Sequence, residues 1–179
     1  ELTEIFDDFQ QDENLWVAIL TGAGERAFSS GHDNKAIADP NAPEHSPLKR
    51  DHRVARTPFG GICRNVEDLI LKPIIAAVNG HSMGGGFAMN LACDIRIASE
   101  NATFQAIEVQ VGTVATSGAV QRLPRYISMA NAMDMLLTGR RVGAQEALQM
   151  GLVSKVVPLP DLMPTAMEYA NRICNNAPL

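Results

Sequence analysis

The chain has 179 residues, 46% hydrophobic and 20% charged, an ordinary composition for one globular domain with its own core. A net charge of -5 supplies no concentrated basic face for a nucleic-acid backbone, although an anionic ligand bound locally is compatible with it. No apolar run approaches the roughly 18 residues of a membrane span, and Cys63, Cys93 and Cys174 are too scattered for a disulfide framework or a zinc site. A reducing compartment is expected, the cytoplasm or an organelle matrix.

Leu2, Ile5, Phe6 and Phe9 fall at helical spacing among acidic residues, so residues 1–12 are read as an amphipathic helix. The chain opens inside that helix without an initiator Met, and elements beyond its ends are expected. "LWVAILTG" (15–22) reads as a buried strand running into "GAGERAFSSGHD", a glycine-rich loop at the carboxyl end of a strand, where α/β folds place ligands. From Lys35 to Gly61 four prolines break any long helix, and Lys49, Arg50, Arg53 and Arg56 form a basic group, either a solvated face or a clamp for ligand phosphates.

"NVEDLILK" (65–72) predicts a helix ended by Pro73, and "PIIAAVNG" (73–80) a β-branched strand of the buried parallel type. A short apolar helix over Gly84–Cys93 and a strand "DIRIAS" (94–99) follow. Then come helices near Ala130–Leu137 and over 144–151, the latter closed by Gly151, a strand "LVSKVVP" (152–158) and a helix over Asp161–Arg172. Strands alternating with helices predict an α/β fold in a single domain, 1–179.

"AVNGHSMGGGF" (77–87) admits two chemistries. Gly80-His81-Ser82-Met83-Gly84 fits a nucleophile elbow, but the partner imidazole of such an elbow follows the serine in chain order. The histidines are His32, His45, His52 and His81, all ahead of Ser82, so no base takes the hydroxyl proton. In the other reading, Gly84, Gly85 and Gly86 open a helix whose first-turn amides lack internal partners and carry the positive end of its dipole, a place for developing negative charge. A glycine run that only permits tight helix packing is the plain alternative.

"WVAILTGAGERAFSSGHD", "KPIIAAVNGHSMGGGFAMNLACDIRIASENATF", "QRLP" and "LTGRRVGAQEALQMGLVSKVVP" resemble, in order and spacing, the blocks of the crotonase (enoyl-CoA hydratase/isomerase) superfamily. The resemblance implies a spiral of ββα turns lacking terminal elements here, a homotrimer or dimer of trimers, and an acyl-CoA substrate. Coenzyme A enters as part of that substrate, with no tightly bound cofactor, metal or nucleic acid. It assigns an oxyanion hole to the amides of His32 and Gly85, places Ser30 and Gly31 beside the coenzyme A moiety with Gly84, and matches Glu108 to a proton-transfer residue. Met83, Phe87 and Val111 are candidate walls of the acyl pocket, or core.

A second family glutamate corresponds to Ala88, on the face of Gly85 by its i, i+3 spacing. The missing carboxylate puts simple hydration in doubt and leaves isomerisation, dehydration and carbon-carbon cleavage open, as well as a non-catalytic member that binds coenzyme A or serves as a scaffold. The His32 imidazole either points into the acyl pocket as an acid or base or is structural, and Asp33 orders the loop.

Overall fold

The computed structural model describes residues 2–31 and 70–177. Its centre is the apolar run IIAAV, strand β3 (Ile74–Val78), buried at every position as expected of a parallel strand covered on both faces. β3 lies between β1 (Ala18–Thr21) and β5 (Ile95–Ser99), and β8 (Lys155–Val157) completes a four-stranded sheet in the order β1-β3-β5-β8 with every neighbour parallel.

A second four-stranded sheet has the order β2 (Ala27–Ser29), β4 (His81–Met83), β6 (Thr103–Gln105), β7 (Val142–Gly143), of which only β6 and β7 pair antiparallel. The chain visits the sheets alternately, β1 then β2, β3 then β4, β5 then β6, and β4 leads straight into helix α2 (Gly85–Ala92). The fold is α/β, as the alternation of strands and helices predicts, with the ββα order that the resemblance implies.

The two faces of β3 serve two cores. Ile75 and Ala77, with Ile97 and Val157, pack on Leu162, Ala166 and Ala170, which recur every fourth residue along α6 (Leu162–Cys174). Ile74, Ala76 and Val78 face a larger core with Phe6 and Phe9 of α1 (Leu2–Gln11), Phe87 and Leu91 of α2, and Phe104. Lys72 secures the end of α1 by donating to the carbonyls of Phe9 at 2.7 Å and Asp12 at 2.5 Å.

Three parts of this architecture depart from the sequence reading. β2 and β4 are three-residue strands inside segments read as loop and turn, too short to display a period of two. Helix α3 (Ala119–Tyr126) contains Pro124, a residue that argues against a helix interior. Leu15 and Trp16 precede β1 and are exposed, so the buried strand expected over 15–22 is shorter and half-covered, as an edge position requires. The helix expected over 65–72 lies largely outside the described residues, and Ile70–Lys72 are not helical.

The remaining elements are α4 (Met129–Thr138), with Ser128 as its N-cap, and α5 (Ala144–Gln149). Arg96, buried on β5, ties the segment after α5 to the ends of α2 and α3: Nε donates to the Leu152 carbonyl at 2.7 Å, Nη1 to the Cys93 carbonyl at 2.6 Å, and the guanidinium lies 3.8 Å from the centre of the Tyr126 ring. Among the described residues no helix is long and apolar enough to cross a membrane.

Candidate active site

β4 ends at Met83, the backbone turns at Gly84 with φ 52°, and α2 starts at Gly85. The Ala88 amide donates back to the Gly84 carbonyl at 3.0 Å, closing the first turn. Gly85 therefore presents its N–H at the positive end of an eight-residue helix, with no partner inside that helix.

A second loop reaches the same place from β2. Gly31 has φ 84°, and a Cβ there would stand 2.8 Å from the Gly85 nitrogen and 3.1 Å from the Met83 oxygen. A Cβ on Gly86 would lie 2.2 Å from the Ser29 oxygen. Glycine at both positions lets the two backbones touch, and the Ser29 hydroxyl accepts from the Gly31 N–H at 3.2 Å.

Glu108 comes from the 3-10 turn Ile107–Val111 that follows β6. A Cβ on Gly84 would meet Ile107 Cγ2 at 3.3 Å and Glu108 Oε1 at 3.8 Å, so the carboxylate lies against the residue that caps α2. Glu108 Oε2 is buried without a hydrogen-bond partner. Burial pushes the Glu108 carboxyl above the ordinary glutamate range, opposed in part by its own backbone amide. A carboxylate with raised proton affinity beside helix-end amides can exchange a proton with a substrate whose negative charge those amides hold.

The structure thus brings together three segments far apart in sequence, represented by Gly31, Gly84–Gly85 and Glu108. Ser30 is exposed next to Gly31, and Met83 is half-buried. His32, Asp33 and the basic group at 49–56 lie outside the described residues. Of the two readings of Phe87, pocket wall or core, its position fits the second: its ring is fully buried, 6.2 Å from that of Phe104. Val111 is exposed and Ala88 buried, and among the described residues Glu108 is the carboxylate placed at Gly84.

The nucleophile-elbow reading finds no support. Ser82 is completely buried in β4 and donates to the Gly86 carbonyl at 3.3 Å, while His81 is exposed with Nδ1 2.8 Å from Thr103 Oγ1. Among the described residues no group of three or more His, Cys, Asp or Glu could hold a metal ion. Sequence reasoning missed Asn79, a buried residue after β3 whose amide accepts from Gly22 N–H at 3.1 Å and donates to the carbonyls of Gly22 at 3.0 Å and Gly24 at 2.7 Å. The one available signal was a lone Asn-Gly pair after an apolar run.

A family model described as enoyl-CoA hydratase/isomerase matches residues 1–179. The chain is 45% identical over its whole length to a carnitinyl-CoA dehydratase of Proteus mirabilis, and 44% identical to the enzyme of that name from Escherichia coli K12, covering 65% of each. It thus spans about 65% of the length of these curated relatives. An enoyl-CoA hydratase structure from Bacillus anthracis superposes with a TM-score of 0.81 at 37% identity, over 98% of this chain and 65% of that one. The structure of DspI from Pseudomonas aeruginosa superposes with a TM-score of 0.85 at 31% identity, over 99% of this chain and 64% of that one.

Proposed function

The chain belongs to the enoyl-CoA hydratase/isomerase family, and on that premise we propose that it acts on an acyl-CoA thioester through the Gly85 amide and the Glu108 carboxylate. The observation that carries the reading is their convergence on the Gly84 turn. The thioester oxygen accepts from the Gly85 N–H and, as the resemblance assigns, from the His32 N–H. Glu108 removes a proton from C2, the electron pair moves onto the thioester oxygen, and the amides stabilise the enolate. Donors fixed beforehand are effective here because they need no reorganisation as charge develops, and loss of one costs roughly 100- to 1,000-fold in kcat.

With Ala88 in place of a second glutamate, Glu108 is, among the described residues, the carboxylate for both proton transfers. With a 3-hydroxyacyl-CoA, Glu108 takes the C2 proton, the enolate collapses to the C2–C3 double bond as the C3–O bond breaks, and the same proton leaves with the hydroxyl as water. Hydration is the reverse. The carnitinyl-CoA dehydratase relatives support water elimination as the reaction class. Isomerisation, in which Glu108 returns the proton to C4 of an enoyl-CoA, is the second reading, favoured by the same single carboxylate. Coenzyme A enters with the substrate, and no tightly bound cofactor takes part in either scheme.

The test is turnover of the full-length protein on a panel of 3-hydroxyacyl- and enoyl-CoA thioesters with product identification. Glu108→Gln is expected to lose at least about 100-fold in kcat. Gly85→Pro removes one N–H at the first helical position, where proline is tolerated, and is expected to lose about as much. Full turnover in either variant overturns the assignment. Binding without turnover across the panel marks a non-catalytic acyl-CoA binder instead.

A further inference from the structure

Among the described residues no side chain hydrogen-bonds to the Glu108 carboxylate, and its Oε2 is buried unpartnered. Where the carboxylate points is therefore set by the backbone of the turn that carries it. That turn is fastened on both sides. Ahead of it, the Gln105 carbonyl accepts from Gly84 N–H at 3.0 Å and Gln105 Nε2 donates to the Gly139 carbonyl at 2.7 Å. Within it, Gln110 Nε2 donates to the same Gly139 carbonyl at 2.8 Å and to Thr138 at 3.3 Å. These oxygens belong to the C-terminal end of α4, where helix carbonyls lack intrahelical donors. The packing is tight: a Cβ on Gly139 would lie 2.9 Å from Gln110 Cγ.

We infer that Gln110 is a positioning residue for proton transfer, its amide clamping the Glu108 turn to the end of α4 and so fixing the carboxylate against the Gly84–Gly85 backbone. The inference rests on the reading of Glu108 given above. Gln105 shares the Gly139 carbonyl but is buried in β6, so its removal would disturb the sheet. Gln110 is exposed, and its removal tests aim rather than folding.

The experiment follows exchange of the C2 protons of butyryl-CoA in deuterated water by NMR, using the full-length chain. Gln110→Leu is expected to lower kcat for exchange roughly tenfold, with KM within about twofold, because small misplacements of a reacting group cost rate more than binding. The midpoint of the acid limb of its pH profile should fall, since a loosened carboxylate gains water. Gln110→Lys, which restores a donor and places a cation at a helix C-terminus, should recover most of the rate. Rate and midpoint matching the parent, a change in KM alone, or equal loss in the Leu and Lys variants overturns the inference. Exchange that survives in Glu108→Gln, or is absent from the parent, overturns the reading of Glu108 and this inference with it. Exchange lost in Glu108→Gln yet unmoved in Gln110→Leu overturns this inference alone.

Discussion

Burial holds the Glu108 proton more tightly in the folded chain than in the unfolded one, and this has consequences for rate and for stability. In the proposed role of base the residue must be ionised, so activity should rise with pH through a midpoint above the usual glutamate value of about 4.3. Between that value and the raised one the folded chain binds more protons than the unfolded chain, so this group's contribution makes stability fall as pH increases. The cost is complete above the raised value. Glu108→Gln, which has no charge to desolvate, should therefore melt higher than the parent at pH 7, and the gap should close towards pH 4. Melting curves at the two pH values check this, and a gap independent of pH would contradict it. Gln105 was illegible at this scale, because its role depends on backbone and side-chain partners far away in sequence.

Helix α2 is the element that makes the site, and its composition shows where design for packing and design for function separate. Its glycines admit the neighbouring backbone, and its apolar residues fill the core. Asn90 fits neither role: it is fully buried, and neither its Oδ1 nor its Nδ2 has a hydrogen-bond partner. An amide so placed costs about 1–3 kcal/mol by mutational measures. Asn90→Leu, branched at the same carbon and apolar, should stabilise the fold by about 1 kcal/mol, read as a higher urea midpoint at unchanged slope. A lower midpoint would show that the amide is paid for by a contact made in solution. The helix itself was legible, because the glycine triplet and the apolar run after it mark a start and a buried face. α3 was not, since Pro124 outweighs its amphipathic spacing in any local reading, and the three-residue strands β2, β4 and β6 carry no period to detect.

For the whole molecule, the alternation of one strand to each sheet means that the turn between β1 and β2 must be held where β3 passes over to β4. Asn79 does this with hydrogen bonds to Gly22 and Gly24, and its own carbonyl accepts from Asn101 Nδ2 at 3.1 Å. Asn79→Ala removes the partner of part-buried backbone groups of the glycine-rich turn and should destabilise the chain by about 1–3 kcal/mol, measured by urea unfolding. Loss below about 0.5 kcal/mol would show the turn to be held by other contacts. The α/β class and the order of the long elements were readable from patterning, since IIAAV and the α6 stripe are strong local signals. The second sheet was readable only through the resemblance, because its pairing is entirely between segments distant in sequence.

Met83 of β4 and Gln105 of β6 are register partners, and one residue later Gly84 donates to Gln105 across the same pair. The Gly85 amide and the Glu108 carboxylate, the pair proposed to react, thus start from adjacent strand ends, separated by one interstrand spacing of about 4.8 Å. That spacing is a lattice constant of the sheet, common to every substrate. Loops elsewhere around the site can be lengthened, shortened or exchanged to suit another acyl group while Gly85 and Glu108, carried directly by the segments that leave these two strand ends, keep their gauge.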